Sequence, residues 1–126
     1  MGMNFVYTRA LRGATTVDKN DKEEIFSAAA EMFEEIIKRN ELNPEDIASI
    51  IFSLTPDLDK AFPAAAIRRL GITDVPLLDV AQPDIDGALK KCIRVLVHIN
   101  TDKKNNELHH VYLRGAVVLR PDLINK

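Results

Sequence analysis

The sequence has one cysteine, Cys92, no low-complexity stretch and no long apolar run. One cysteine cannot form an internal disulfide, and a lone thiol suits a reducing compartment. No run approaches the roughly 20 apolar residues that span a bilayer, and the N-terminal MGMNFVYTRA lacks the apolar core of a secretion signal. These absences predict a cytoplasmic protein that does not associate with a membrane.

The charge balance also lacks the basic excess of a nucleic-acid-binding protein. The formal net charge is −2, with 17 Lys and Arg against 19 Asp and Glu. Phosphate binding requires a clustered basic surface, so nucleic acid is not an expected partner. The 46% of hydrophobic and 29% of charged residues predict that residues 1–126 form one globular domain, with a core large enough to need no disulfide or structural metal.

Several motifs of well-known chemistries are missing from the sequence. It contains no GxGxxG, P-loop, GxSxG or HExxH pattern. The histidines are His98, His109 and His110, and neighbouring residues on a strand point to opposite faces, so the pattern predicts no metal site. Cys92 is interpreted as a small core residue rather than a nucleophile, since no histidine is placed beside it.

The clearest structural signal is a long amphipathic helix, predicted from about Asp21 to Arg39. Asp21, with Glu24 three residues later, resembles a capping box, and Lys38 and Arg39 lie where the helix dipole favours cations. Apolar side chains recur at three- and four-residue spacing and so share one face: Ile25, Ala28, Ala29, Met32, Phe33, Ile36 and Ile37.

Strand-like segments surround this helix. They are predicted at 4–12, where Gly13 would begin a loop, at 47–54, 75–80 and 92–99, and as one or two strands in 108–119 after a hairpin-like loop TDKKNNE. A short helix is predicted at 64–70, and Asn43-Pro44-Glu45-Asp46 predicts a capped turn. The fold class is therefore α+β (mixed α/β), with a single mixed sheet of about five strands, one long helix and a short helix. One long helix covers only part of a sheet, so self-association is expected.

Four arginines lie at the ends of elements or inside them. Arg12 would end the first strand, Arg68 lies in the short helix, Arg94 lies inside the fourth strand and Arg120 precedes the last proline. Arg94 shares its strand face with Cys92, Leu96 and His98, opposite the apolar positions 93, 95, 97 and 99. Singly, each arginine also fits a solvated charge. Together they suggest a pocket for a small dianion, because guanidinium groups bind carboxylates bidentately.

Two further side chains have both a structural and a functional interpretation. Asp79 is a carboxylate inside the apolar segment VPLLDV, either paired with an arginine for structure or held in a site. Tyr112 is either a core aromatic or a hydroxyl donor to a ligand. The residue pattern leaves both questions open.

Four segments carry a resemblance to a known family: RGATTV at 12–17, TPDLDKAFPA at 55–64, GALKKCIRVL at 87–96 and HVYLRGAVVLRPDL at 110–123. In this order the chain resembles the monofunctional chorismate mutases of the trimeric α/β class. The resemblance implies a homotrimeric pseudo-α/β barrel with active sites at subunit interfaces. It also implies an isomerase that converts chorismate to prephenate in the shikimate pathway, for phenylalanine and tyrosine biosynthesis, without a cofactor or metal.

The resemblance assigns roles to residues by matching position. Arg94 would donate to the ether oxygen of the substrate, and Arg12 would bind a carboxylate with the help of Tyr112. The remaining expected substrate contacts are Phe62, Ala64, Leu78, Val80, Ala81 and Gln82, with Arg68 and Arg120 adding positive field or closing the site.

The sequence departs from the family pattern at one position. Gln82 stands where the family has a glutamate that contacts the ring hydroxyl, and Asp79 stands where the family usually has a small neutral or thiol residue. We hypothesise that Asp79 supplies the missing carboxylate. Two alternatives are a non-catalytic trimeric binding module for aromatic or keto-acid carboxylates and an imine-deaminase-type enzyme of similar trimeric architecture.

Overall fold

The chain folds around one five-stranded mixed sheet in the computed structural model, which describes residues 5–123. The strands are β1 (Tyr7–Thr16), β2 (Ile47–Leu54), β3 (Leu77–Ala81), β4 (Cys92–Thr101) and β5 (Val111–Tyr112), in the spatial order β3-β2-β4-β1-β5. The pairs β1–β4 and β2–β4 are antiparallel, whereas β2–β3 and β1–β5 are parallel. The predicted fold class is confirmed.

Helix α1 (Lys22–Arg39) begins where the sequence pattern places it. The Asp21 carboxylate accepts a hydrogen bond from Glu24 N at 3.1 Å. The Glu24 carboxylate, however, accepts from Lys19 N at 3.4 Å, so only one half of the expected capping box forms. Helix α2 (Ala64–Arg69) is the predicted short helix, and Gly71 follows it with φ +90°.

The main core lies between α1 and one face of the sheet. In β4, Ile93, Val95, Val97 and Ile99 are at most 4% exposed and contribute to this core. Their alternate neighbours, among them Arg94, point to the opposite face, as the alternation predicts. The arginine-bearing face is therefore the one that α1 does not cover.

Gly13 does not begin a loop, because β1 continues through it to Thr16. A Cβ atom at Gly13 would lie 3.0 Å from Val95 Cγ1 and 3.1 Å from both Ile36 Cδ1 and Met32 Sδ. The glycine thus allows close approach of α1 to the strand, which the sequence pattern alone does not distinguish from a turn. As a result, Arg12 lies inside β1 rather than at its end.

The prediction for residues 108–119 is wrong in most of its length. Strand β5 has two residues and pairs with β1 rather than β4, so the segment before it is not a hairpin loop; it contains a 3-10 helix at Asn105–Glu107. Arg114–Leu119 is also a 3-10 helix, entered through Arg114 at φ +52°. Gly115 N then donates to Thr16 Oγ1 at 3.0 Å, which packs this helix onto the end of β1.

The other boundaries agree closely with the pattern. Strand β2 and the turn at Pro44–Asp46, which is capped by Asn43, lie where predicted. Strand β3 begins two positions late, and β4 runs two positions further. Asn4, the expected start of the first strand, and the last three residues of the PDLINK segment lie outside the described residues. Within residues 5–123, no helix is long and apolar enough to cross a membrane.

Candidate active site

The sheet face opposite α1 carries apolar side chains that are only partly covered. Ile51 and Leu96 are half-buried there, and Leu78 and Val80 at the β3 edge are 56% and 40% exposed. The register places these side chains on one continuous face, since Leu78 lies opposite Ile51 and Ile51 opposite Leu96. This face is the surface on which the predicted arginines lie.

The strand register brings Arg12, Arg94 and Tyr112 together on that face. Ala14 in β1 is paired with Arg94 on one side and with Tyr112 on the other. Arg12 lies two positions before Ala14, opposite Leu96. Directly paired residues share a face of a sheet, so the two guanidinium groups and the phenol project in the same direction.

Two of these groups hold buried donors without an acceptor. Arg94 Nε and Tyr112 Oη are buried and form no hydrogen bond within the described part of the chain. A buried polar group without a partner is costly, and it is costlier when charged. A bound oxyanion or ether oxygen would satisfy both donors, which identifies this spot as a place for an oxygen-rich ligand.

Arg120 lies at the edge of this group. Its guanidinium donates to both carboxylate oxygens of Asp122, at 3.1 and 3.0 Å, and these bonds are the main reason that its pKa is raised. It also interacts electrostatically with Tyr112 and His110. Three positive charges, those of Arg12, Arg94 and Arg120, thus surround one buried phenol.

Cys92 and Gln82 lie next to Arg94. The Cys92 thiol is fully buried in a small cluster with Ala14 and Tyr112, as expected of a core residue. Burial raises the pKa of the thiol more than the neighbouring Arg94 and Gln82 lower it, so the sulfur stays protonated and is a poor nucleophile. Gln82 Nε2 donates to the Cys92 carbonyl at 3.1 Å, which holds the amide at the Arg94 end of β4.

A second group of expected site residues lies at the β3 edge. Phe62, Asp79, Val80 and Ala81 line a cavity of about 230 Å³, and Phe62 is 68% exposed at its rim. Asp79 Oδ1 accepts a hydrogen bond from Ala64 N, the first residue of α2, at 3.0 Å.

The electrostatics of this second group centre on Asp79. Burial raises the pKa of its carboxyl, and the bond from Ala64 and the charge of Arg68 offset part of that effect. Arg68 therefore lies near Asp79 and on the side of α2, rather than with the other three arginines.

The two groups lie on different strands, although Val80 and Arg94 are both aligned with Ser53 on the same face. Strands β3 and β5 form opposite edges of the sheet. Asp79 is aligned with Phe52 on the α1 side, whereas Arg94 is aligned with Ser53 on the other side. Asp79 consequently does not face Arg94 of its own chain. Gln82, by contrast, is bonded to the Cys92 carbonyl, two positions before Arg94.

One residue of the arginine group was not predicted for the site. His110 Nδ1 accepts a hydrogen bond from Arg12 N at 2.9 Å, although the two residues are 98 positions apart. The sequence pattern relates this histidine only to the question of a metal site. No group of three or more His, Cys, Asp or Glu side chains in residues 5–123 is arranged to hold a metal ion.

Known proteins of similar sequence and fold show the family of this chain. The family model for chorismate mutase type I matches residues 8–123. The chain belongs to the chorismate mutase type I family.

The similarity to individual members covers most of the chain. Over 116 residues it is 46% identical to chorismate mutase AroH of Bacillus subtilis (strain 168), covering 91% of each protein. It is 43% identical to chorismate mutase AroH of Thermus thermophilus, covering 91% of this chain and 95% of that protein. A solved chorismate mutase from Clostridium thermocellum superposes with a TM-score of 0.86 at 47% identity, covering 87% of this chain and 98% of the other.

Proposed function

We propose that this chorismate mutase accelerates the conversion of chorismate to prephenate through the field of Arg94, Arg12 and Arg120. The enzyme is an isomerase, and the reaction is a [3,3] sigmatropic rearrangement. The ether C–O bond breaks while a C–C bond forms within the same molecule, so no group is transferred to the protein. The observation that carries the proposal is the buried Arg94 Nε, which has no acceptor within residues 5–123.

Arg94 is suited to the breaking bond. Negative charge develops on the ether oxygen as the C–O bond lengthens ahead of C–C bond formation. A fixed guanidinium donor in a partly buried site stabilises that charge without having to reorient, and such preorganised donors contribute much of the rate enhancement in many enzymes. Arg94 is held inside a central strand between two neighbours, which limits its freedom to reorient.

Arg12, Tyr112 and Arg120 are suited to binding. Chorismate carries two carboxylates, and exposed Arg12 and the buried Tyr112 hydroxyl offer donors to one of them. Arg120 adds charge at the edge of the group, next to the Tyr112 hydroxyl. Holding both carboxylates favours the folded substrate conformer in which the reacting carbons are close.

The second half of the site comes from a neighbouring subunit of a homotrimeric pseudo-α/β barrel. Two observations support this assembly: the exposed apolar Leu78 and Val80 need a cover, and none of the arginines lines the cavity at Phe62 of the same chain. Packing one subunit's β3 edge against the next subunit's arginine group would bring Leu78, Val80, Ala81 and Phe62 to the substrate. Ala64, which is 1% exposed, would lie behind this surface. Cyclic assemblies commonly form in this heterologous way.

The carboxylate expected near the ring hydroxyl is assigned to Asp79, with Gln82 as a polar contact. Asp79 lines the cavity beside Phe62 and keeps a charged carboxylate there once the pH exceeds its raised pKa. In the Asp79→Asn variant we expect turnover to fall by more than about tenfold, or about 1.4 kcal/mol. The exposed Asp59→Asn serves as the control, and a smaller loss for Asp79→Asn would reject the assignment.

Chorismate consumption provides the test of the catalytic role. Following its ultraviolet absorbance, we expect Arg94→Met to lower turnover by about 10²- to 10³-fold, because methionine keeps apolar volume but removes the charge. Arg39→Met is the matched control, since Arg39 forms an exposed ion pair with Glu35 on α1. Tight chorismate binding with no accelerated loss by the unaltered protein would instead indicate a binding module.

The reaction places this enzyme in aromatic amino-acid biosynthesis, on the route to phenylalanine and tyrosine. Its substrate is a small polar metabolite, and the lone cysteine is compatible with a reducing cytoplasm. The cytoplasm is accordingly the proposed compartment.

A further inference from the structure

We propose that His110 is a positioning residue for Arg12. Its Nδ1 accepts a hydrogen bond from the Arg12 backbone amide, and this contact fixes the Arg12 guanidinium for substrate binding. The inference rests on the role proposed above for Arg12. His110 itself does not touch the substrate; it acts on the strand that carries Arg12.

The Arg12 amide lies where β1 lacks a neighbouring strand on the side opposite β4. Strand β5 begins at Val111, opposite Gly13, so the ladder stops one residue short of Arg12 on this side. The imidazole of His110 takes the place of the missing strand, with Nδ1 2.9 Å from Arg12 N. An amide N–H only donates, so Nδ1 is the unprotonated nitrogen and the ring is neutral.

The backbone that carries His110 is itself held in place. Asn40, 4% exposed at the end of α1, accepts from His109 N at 2.8 Å and donates to the His109 carbonyl at 2.9 Å. Asn40 also donates to the Ile36 carbonyl at 2.9 Å. The imidazole therefore connects a rigid helix end to the Arg12 backbone, which is the arrangement that positioning requires.

The surroundings of His110 maintain its neutral form. Burial, the charges of Arg120 and Arg12, and the adjacent His109 all lower its pKa below the ordinary value of 6.5. Protonation at low pH would place an N–H against the Arg12 N–H and add a cation to a group of arginines. The added charge is screened because Arg12 is exposed, whereas the lost acceptor displaces the strand directly.

The first test compares two variants and the unaltered enzyme. His110→Asn can place its amide oxygen near the position of Nδ1 and does not titrate, whereas His110→Ala has no acceptor. We expect His110→Ala to raise KM for chorismate by about three- to tenfold with a smaller change in kcat, because a carboxylate contact is lost in ground and transition states alike. His110→Asn should restore KM to within about twofold of the unaltered enzyme.

The second test is the pH profile of kcat/KM, which reports groups of the free enzyme. Because the pKa of His110 is lowered, we expect its part of the acid limb of the unaltered enzyme to lie below the ordinary histidine pKa of about 6.5. His110→Asn should lack this part of the limb. The Asp79 carboxyl, whose pKa is raised, contributes its own acid limb to both proteins. An acid limb that is identical in His110→Asn and the unaltered enzyme, or a KM unaffected by His110→Ala, would overturn the inference.

Arg12→Ala separates this inference from the proposed function. If Arg12→Ala raises KM and the double variant with His110→Ala is no worse, His110 acts through Arg12. Additive effects would overturn the positioning role while leaving the arginine site intact. An unchanged KM in Arg12→Ala would reject the binding role proposed for Arg12, and the role of His110 with it, while leaving the catalytic role of Arg94 to its own test.

Discussion

Asp79 is the residue at which stability and catalysis are expected to conflict. Burial raises the pKa of its carboxyl above the ordinary 3.8, so the folded protein holds this proton more tightly than the unfolded chain does. The stability that Asp79 contributes is therefore fully present below pH 3.8 and is lost as the pH rises through the folded-state pKa. At neutral pH the carboxylate is retained at a cost in stability, which is common for catalytic groups.

The Asp79→Asn variant should reveal this cost. Asparagine keeps an acceptor for Ala64 N but carries no charge, so we expect its free energy of unfolding, relative to the unaltered protein, to increase between about pH 3.5 and pH 7. Urea denaturation across this range measures the difference. The exposed Asp59→Asn should show no such trend, and a pH-independent difference for Asp79→Asn would contradict the interpretation.

At the scale of single residues, sequence patterns predicted orientation better than contact. The alternation in β4 placed Arg94 on the face away from the core because strand geometry fixes side-chain direction. The contact of His110 with Arg12 had no such signal, since it joins residues far apart in the chain. The same holds for the pairing of Asp79 with α2, which depends on a crossover rather than on a local pattern.

At the scale of elements, apolar periodicity predicts the long helix and strands correctly. It does not predict segments whose structure depends on tertiary packing. Helix α1 and strand β2 follow directly from their apolar patterns. The segment Arg114–Leu119 has the composition of a strand, yet it forms a 3-10 helix that packs against β1. The sequence pattern predicts a loop at Gly13, because the side chains that require a glycine there lie mainly on the neighbouring helix and are distant in the sequence.

The close contact between β1 and α1 can be measured through Gly13. An added methyl would lie 3.0–3.1 Å from three apolar side chains, so Gly13→Ala should destabilise the fold by about 1–3 kcal/mol through overpacking. Ile36→Val, which removes one of the crowded atoms, should cost about 0.5–1.5 kcal/mol alone. We expect the double variant to lose less than the sum in urea denaturation; strict additivity would show that the contact is not limiting.

At the scale of the whole molecule, the sheet presents two incomplete halves of a site rather than one pocket. The arginine group lies towards the β5 edge and the Phe62 cavity at the β3 edge. The family resemblance predicts members of both halves, but no pattern within one chain indicates which subunit supplies them. Under the proposed trimer, assembly would be a condition for activity.

Mixed assembly tests this condition directly. Arg94→Met disables the arginine half, and Phe62→Asp places a carboxylate where a dianion would enter the other half. If each site combines halves from two subunits, co-expression of the two inactive chains with different tags should restore about one quarter of the sites in randomly assembled trimers. Arg94→Met mixed with Arg12→Ala should restore none, because both changes lie in the same half. Activity equal to the sum of the separate variants, in mixed trimers verified by sedimentation, would show that each chain builds its own site.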